Sequence, residues 1–540
     1  MSKALEQTMT PQRPQRLLTL LLSLITLTAW APTLATTKWT ADDPQVVLQS
    51  PVVNRSLPVA SAFTQDYTFH VGSSGQWRPL AALSLRLDHW LYSPSSSRGW
   101  HLSNLLIHLA TVLLLAKLAA KVLQRTPTYG LAFYAIHPTL ADSVAWVSGR
   151  PSLVCALLGT LGCHLLWKAM RAEQSAVITP AAAAIGLSMP LLAKEDGLLF
   201  TLPLLLLAHS NSSRSLRRAA LGVGLGATFW LLARGAALGA LLPAATQPLL
   251  GDAPLYERVL VGFKVLAETL RLTLSPVGRP PHYELASLPS FAGATAIVVL
   301  TAGVIWWAHR TERLSPLKIA LPLLALTPFL QVIPLGEPFA PRFAHLFILF
   351  LIPLADDLLR RLTSPLPLAI LLTLAGTTWQ TAQDYRDAES YWLASLHHAP
   401  SSPVAWNALG LARAESGRHE EAISAYKAAI TQDASHSKAW SNLARSLLAI
   451  GRSEEAETAL KAAIQAGPRN PIAHANWGLH LERRGDHRGA REAFIRATQL
   501  RPGMPQAWAG VARTERLLGR EQEAREAERR LRSLGIRRDK

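Results

Sequence analysis

The chain has 540 residues, of which 49% are hydrophobic and 17% charged, and it carries a formal net charge of +18. That is too long for one ordinary domain, and near residue 383 the composition turns from Leu/Ala/Trp-rich to polar and Arg/Glu-rich. The basic excess accompanies no nucleic-acid-binding motif and lies largely beside apolar runs, which argues against nucleic acid and for a membrane.

Residues 17–35 follow Arg13 and Arg16 and are almost wholly apolar. They read as an uncleaved first span, with a signal peptide ending near Thr33-Leu34-Ala35 as the rival. Residues 36–99 form a long Ser/Pro/Trp-rich loop, expected to be extracytoplasmic. Apolar segments follow at 100–122, 127–148, 151–168, 177–193, 197–209, 216–240, 290–308, 317–335, 343–358 and 364–382. Since a span takes roughly 20 residues, these and residues 17–35 predict about eleven spans. Cys155 and Cys163, eight positions apart in one run, are expected to be packing residues that cannot pair with each other. Residues 255–276 mix Glu257, Arg258, Lys264, Glu268 and Arg271 with apolar residues, which predicts an amphipathic helix lying at the interface.

The breaks between runs set an expected topology. Lys121/Arg125, Lys168/Arg171, Arg214/Arg217/Arg218, Arg310/Arg313/Lys318 and Arg360/Arg361 fall on alternate breaks. With Arg13/Arg16 they all become cytoplasmic if the N-terminus is inside, and an odd number of spans puts the C-terminal arm outside. The opposite set of breaks holds Asp42, Asp43, Arg78, His101, Arg150, Lys194, Glu195, Glu337 and Arg342. Ionisable groups in such positions are costly and usually functional.

From residue 403 the sequence repeats every thirty-four positions. Trp406, Trp440, His474 and Trp508 share one slot, Gly417, Gly451, Gly485 and Gly519 a second, and Ala422, Ala456, Ala490 and Ala524 a third. This is the tetratricopeptide period, in which each helix pair buries its apolar face only against its neighbours. The phase extends back through Ala388, Trp392 and Pro400 as a half repeat. The tryptophans are expected in the core. Asn442 and Asn476, one period apart, could present their amides to an extended peptide.

Several motifs resemble one family. They are Trp39…Asp42-Asp43 after the first span, Asp66-Tyr67, Trp77-Arg78-Pro79-Leu80 and His101-Leu102-Ser103-Asn104…His108. His137-Pro138…Asp142-Ser143-Val144-Ala145-Trp146-Val147-Ser148-Gly149-Arg150 and Leu192-Ala193-Lys194-Glu195-Asp196-Gly197 follow, then the repeats. This order is similar to the transmembrane, tetratricopeptide-repeat O-mannosyltransferases, of the GT-C glycosyltransferase class. Ala340-Pro341-Arg342-Phe343 departs from the family pattern by lacking an acidic residue before Arg342. The resemblance implies an all-α chain: a polytopic helical bundle over 1–382, with 36–99 its first outer loop, and a junction at 383–402. Four repeats follow at 403–534 and a basic tail at 535–540.

It also implies transfer of a mannose-like sugar from a polyprenyl-phosphate carrier to Ser/Thr of a protein held by the repeats. Such chemistry needs a carboxylate to take the hydroxyl proton, for which Asp42 and Asp43 are the candidates. It also needs cations for the phosphate, expected among Arg78, Arg150, Lys194 and Arg342, with Glu195 beside them. His101, Asn104 and His108 share a helical face that could line the donor site, and His137-Pro138 could kink a helix beside it. No residue spacing points to a metal, so no metal ligand is assigned and metal dependence stays open. The competing expectation is a non-catalytic, membrane-anchored repeat scaffold. A transferase acting on glycan and a transporter are lesser alternatives. The Ala/Leu/Arg-rich composition suggests a bacterial inner membrane with a periplasmic arm, or the equivalent endoplasmic reticulum topology in a eukaryote.

Overall fold

The computed structural model describes residues 12–36, 38–40, 43–68, 75–122, 124–171, 177–239, 253–284, 288–310, 316–326 and 340–533. Among them there is no strand. The chain divides into two units, Met1–Tyr391 and Trp392–Lys540.

The first unit is built on helices α1 (Gln12–Trp30), α2 (Pro79–Leu91), α3 (Arg98–Val122), α4 (Arg150–Arg171) and α5 (Ile178–Leu191). It continues with α6 (Thr201–Asn211), α7 (Ser213–Leu238), α8 (Leu255–Leu274), α9 (Phe291–Arg310) and α10 (Leu366–Asp384). Four segments among the described residues are long and apolar enough to cross a bilayer: Gln15–Leu34, Arg98–Val122, Val147–Arg171 and Ser213–Leu238. α4, α5 and α7 pack through small residues. A Cβ on Gly162 would lie 2.5 Å from the Gly186 carbonyl oxygen, and one on Gly222 would lie 2.1 Å from that of Pro180. Small residues let backbones approach where lipid removes the hydrophobic drive for helices to associate.

Several expected spans are not single helices. Segment 127–148 is a short helix, Thr128–Ala135, then turns at Pro138–Leu140, Ala141–Val144 and Val147–Gly149. Pro138 ends the helix because it has no N–H to give. The exposed carbonyls are then satisfied from the side: Asn104 Nδ2 donates to those of Ser143, Val144 and Trp146, at 3.4, 3.3 and 2.9 Å. Irregular backbone survives at membrane depth only where protein supplies such partners. Segment 343–358 is likewise split, at Leu351 just before Pro353, into His345–Phe350 and Ile352–Leu359. Segments 177–193 and 197–209 form α5 and α6, of 14 and 11 residues, shorter than the hydrocarbon thickness. Segment 317–335 contains a helix at Pro316–Ala325, and residues 327–339 lie outside the described residues. Residues 255–276 form α8, with Leu255, Tyr256, Val259 and Leu260 exposed and Val265, Ala267 and Leu272 buried.

The first loop is a packed layer. Val47, Val53, Leu85, Trp100 and Val147 form a buried cluster, with Trp39, Leu48, Tyr67 and Tyr92 against it.

The second unit begins within α11 (Ala388–His398) and continues as four helix pairs. These are α12 (Pro403–Glu415) with α13 (His419–Gln432), α14 (Ser437–Ala449) with α15 (Ser453–Ala466), α16 (Pro471–Arg483) with α17 (His487–Leu500), and α18 (Pro505–Leu517) with α19 (Glu521–Ser533). Gly417, Gly451, Gly485 and Gly519 turn each pair at φ of 77, 82, 82 and 75°, where an L side chain is strained. Ala422, Ala456, Ala490 and Ala524 are fully buried at the crossings. The Trp slot, expected in the core, is instead half-buried and packs against its edge. Trp406, Trp440 and Trp508 each donate Nε1–H to the carbonyl six residues back, at 2.8, 2.9 and 2.7 Å. His474 places Nε2 2.9 Å from the equivalent Pro468 carbonyl, so its ring stands in for an indole with the proton on Nε2.

Candidate functional site

Asp43 is fully buried at the head of the turn Pro44–Leu48. The chain before it is pinned to the end of α10, because Thr40 Oγ1 donates to the Tyr385 carbonyl at 2.6 Å. One carboxylate oxygen of Asp43 accepts from the Ser148 N–H at 2.8 Å and from the Ser148 hydroxyl at 2.6 Å. Two donors on one oxygen stabilise the charged form and fix the carboxylate's direction. Asp42 and Glu337 lie outside the described residues.

Ser148 belongs to the irregular stretch 142–150, which most of the other candidates touch. Gly149 allows its tight closure, since a Cβ there would lie 1.8 Å from the Asp142 carbonyl oxygen. Arg150 next in line is fully buried. Its Nη2 donates to Asp88 at 2.6 Å and to the Trp100 carbonyl at 3.0 Å, and its Nε donates to Asn104 Oδ1. Asn104 is thereby used on both sides, as acceptor for Arg150 and donor to the stretch. Asp88 also accepts from Ser103 at 2.7 Å. Burial raises the Asp88 pKa, against the opposing pull of Arg150 and Ser103.

A second buried ion pair holds the other end of the stretch. Arg279 donates to Asp142, to the Tyr385 hydroxyl at 2.7 Å and to the Pro138 carbonyl at 3.2 Å. The Tyr385 hydroxyl also donates to Asp142. Burial works against the Arg279 charge, but Tyr385 and Asp142 outweigh it and its pKa rises. The Tyr385 phenol is pushed well up, by burial first and then by Asp142.

Arg342 meets the same stretch: its N–H faces Asp142 at 3.4 Å, and its guanidinium lies 5.0 Å from the Trp146 ring centroid. Its carbonyl accepts from Ser152 at 3.4 Å, and Ser152 accepts from Lys194 Nζ at 3.2 Å. Lys194 is buried, paired with Asp196 at 2.5 Å and 5.2 Å from the Phe343 ring. Glu195 turns the other way, to Arg78 at 3.0 Å and to the Trp77 N–H at 3.3 Å. Asp43 thus meets the stretch at Ser148, while Arg342 meets it at Asp142 and Trp146 and is joined to Lys194 through Ser152.

The histidines differ. His101 is fully buried, and neither ring nitrogen has a hydrogen-bond partner among the described residues. His108 Nε2 meets the Ala135 carbonyl at 3.0 Å. His137 Nδ1 accepts from the Thr139 N–H at 3.3 Å and Nε2 meets the Thr273 carbonyl at 3.2 Å, so it caps the turn after the broken helix. In the second unit, Asn442 Nδ2 donates to Asn407 at 3.0 Å and Asn476 Nδ2 to Ser441 at 3.3 Å. Each amide thus spends one donor on the preceding repeat.

Sequence reasoning missed Asp88, Arg279 and Tyr385 as parts of this network. Asp88 lay in a presumed loop, and Arg279 and Tyr385 stand far from their partner Asp142 in sequence. Among the described residues no group of three or more His, Cys, Asp or Glu is placed to hold a metal ion.

Tetratricopeptide-repeat family models match residues 413–475 and, with a second model, 375–437 and 475–537. The chain is similar to protein O-mannosyl-transferase Tmtc2 of Drosophila melanogaster, 32% identical over 138 residues, 24% of this chain and 15% of that protein. It is similar to Tmtc1 of the same fly at 33% over 129 residues, covering 22% and 15%. It also resembles protein O-mannosyl-transferase F38B6.6 of Caenorhabditis elegans at 24% over 187 residues, covering 33% and 26%. The alignments thus span about a quarter or less of the length of these relatives. Among solved structures, a crystal structure of MamA covers 30% of this chain and 94% of its own at 22% identity and a TM-score of 0.26. MamA from Desulfovibrio magneticus covers 27% and 83% at 20% and 0.24. Over the part of its length that aligns, this repeat-bearing chain is similar to proteins named as protein O-mannosyl-transferases.

Proposed function

We propose that the first unit transfers a sugar, mannose-like, from a polyprenyl-phosphate donor to a Ser or Thr hydroxyl of a protein bound by the repeats. The observation that carries this reading is the Asp43 carboxylate, buried and aimed by both donors of Ser148, at one end of the turn 142–150 whose Trp146 meets Arg342. The acceptor hydroxyl gives its proton to the carboxylate as its oxygen bonds to the sugar's anomeric carbon. The bond from that carbon to phosphate breaks, and the carrier leaves as polyprenyl phosphate. Asp43 is the base, with Asp42 its neighbour in sequence. Arg342 and Lys194 bind the phosphate, and Arg78, oriented by Glu195, completes the cationic side. Arg150 and Asn104 are positioning residues that shape the Ser148 turn. His137 holds the adjoining break, and His101 lies beside the donor site. Asn442 and Asn476 offer their remaining amide groups to the acceptor backbone. The setting is a multi-pass membrane, a bacterial inner one on composition, with the N-terminus cytoplasmic.

The scaffold reading has one observation in its favour: Arg150, Arg279 and Lys194 are already neutralised by Asp88, Asp142 and Asp196. Transfer assays with purified protein, polyprenyl-phospho-mannose and envelope peptides separate the two. Asp43→Asn is expected to insert and melt normally yet lose about 10²-fold or more of the activity, the scale of a general base. Product formed equally by the variant, or by neither protein with any donor, would favour the scaffold.

A further inference from the structure

The ends of α1 and α3 remote from Asp43 enclose a groove of about 720 Å³. α3 separates the two regions: it has 25 residues, roughly 37 Å of helix, with Asn104 near one end and Lys121 near the other. The groove is lined by Arg16, Lys117 and Lys121, with Gln15, Thr19 and Thr126 as neutral polar groups. Its remaining walls are leucine and alanine side chains. Among the described residues no carboxylate lines it, and none of the three cations has an ion-pair partner. Another basic cluster of this unit behaves differently. Arg125, Lys318 and Arg360 all pair with Asp356 or Asp357. Trp167 lies beside the groove, 4.8 Å from Lys121 Nζ and 5.5 Å from the Arg171 guanidinium. An indole between cations is the usual furniture of a membrane–water boundary. Leu20 at the groove's wall belongs to an exposed stripe of α1 with Leu17, Leu21 and Leu24.

We propose that this groove binds the phosphate headgroup of an anionic glycerophospholipid, with an acyl chain laid along the leucine stripe of α1. Three unpaired cations with hydroxyl and amide donors suit a phosphodiester, and the apolar walls and stripe suit its chain. Lys117, one turn deeper than Lys121, reaches the headgroup by extending its apolar stem along the groove. In the topology drawn from the loop charges this is the cytoplasmic leaflet, so the site is separate from the donor site and its test does not depend on activity.

The experiment is native mass spectrometry of the full chain released from nanodiscs of phosphatidylglycerol mixed with phosphatidylcholine. Wild type is expected to retain phosphatidylglycerol preferentially, and Arg16→Gln/Lys117→Gln/Lys121→Gln to lose at least about tenfold of that preference. Ala116→Phe, which fills the groove and keeps the charges, is expected to lose it too. Arg214→Gln/Arg217→Gln/Arg218→Gln removes the same charge elsewhere and should retain it. Thermal melting of each variant confirms that it is folded. Equal loss in the Arg214/217/218 variant would overturn the proposal in favour of diffuse basic attraction. Displacement of the lipid by millimolar inorganic phosphate would overturn it in favour of a soluble anion.

Discussion

Arg150 and Asp88 form a pair that neither residue can leave cheaply. Both side chains are nearly inaccessible, at 1% and 3% exposure, and their contact is 2.6 Å. Removing the guanidinium strands a buried carboxylate, so Arg150→Ala is expected to cost about 3–5 kcal/mol of stability. Asp88→Asn combined with Arg150→Gln should recover much of that, because no charge is then left without its partner. Thermal melts of both in detergent measure the difference. A phosphate-contacting Arg150 would behave otherwise: its loss would raise the donor KM while leaving the melt nearly unchanged. The residue that was legible as special in sequence thus has its first task in the fold, while Asp88 was hidden in a Ser- and Trp-rich loop whose packing no local pattern announced.

At the scale of elements, the helix breaks and the repeat turns follow different logics. Each repeat turns through a glycine at positive φ. Gly485→Ala, at φ 82°, is therefore expected to cost about 1–2 kcal/mol, with open space around the new Cβ leaving backbone strain as the whole effect. Urea unfolding followed by circular dichroism checks it. The period made those turns readable because the same local solution recurs four times. The broken stretch 137–150 has no such redundancy. Pro138 announced an interruption, yet the shape after it depends on Asn104, Asp88 and Arg279, which arrive from other helices. Hydropathy alone predicts about eleven spans. Hydropathy reports burial in lipid or protein alike, so it could not say which runs stay helical throughout.

For the molecule as a whole, charge is handled differently in the two units. In the first, several ion pairs are buried and tie distant segments together. In the second, most pairs leave at least one partner exposed, and they lie along single helices or between neighbouring ones. Glu457 is one such group. The hydrogen bond from Lys461 foremost holds its pKa below the usual 4.5, with burial opposing and His480 and Arg484 adding to the lowering. A depressed carboxylate contributes stability above its unfolded pKa and loses it as pH falls through the folded one. The melting temperature of residues 392–540 is therefore expected to fall below pH 4.5 more steeply in wild type than in Glu457→Gln. Identical acid limbs for both proteins would remove Glu457 from the account.

By itself the sequence determined the class of each unit: lipid-length apolar helices up front, and four phased helix pairs behind. Both follow from patterns the chain carries locally, since the length of an apolar run and a thirty-four-residue repeat need no distant partner to be visible. Tertiary structure decided how the candidate residues are used. Asp43 is aimed by Ser148, Asp142 is claimed by Arg279 and Tyr385, and Arg150 by Asp88. Those pairings join residues 62 to 243 positions apart. Their reason is electrostatic: a charge buried in a low-dielectric bundle must find its counterpart in space, wherever that counterpart sits in the chain.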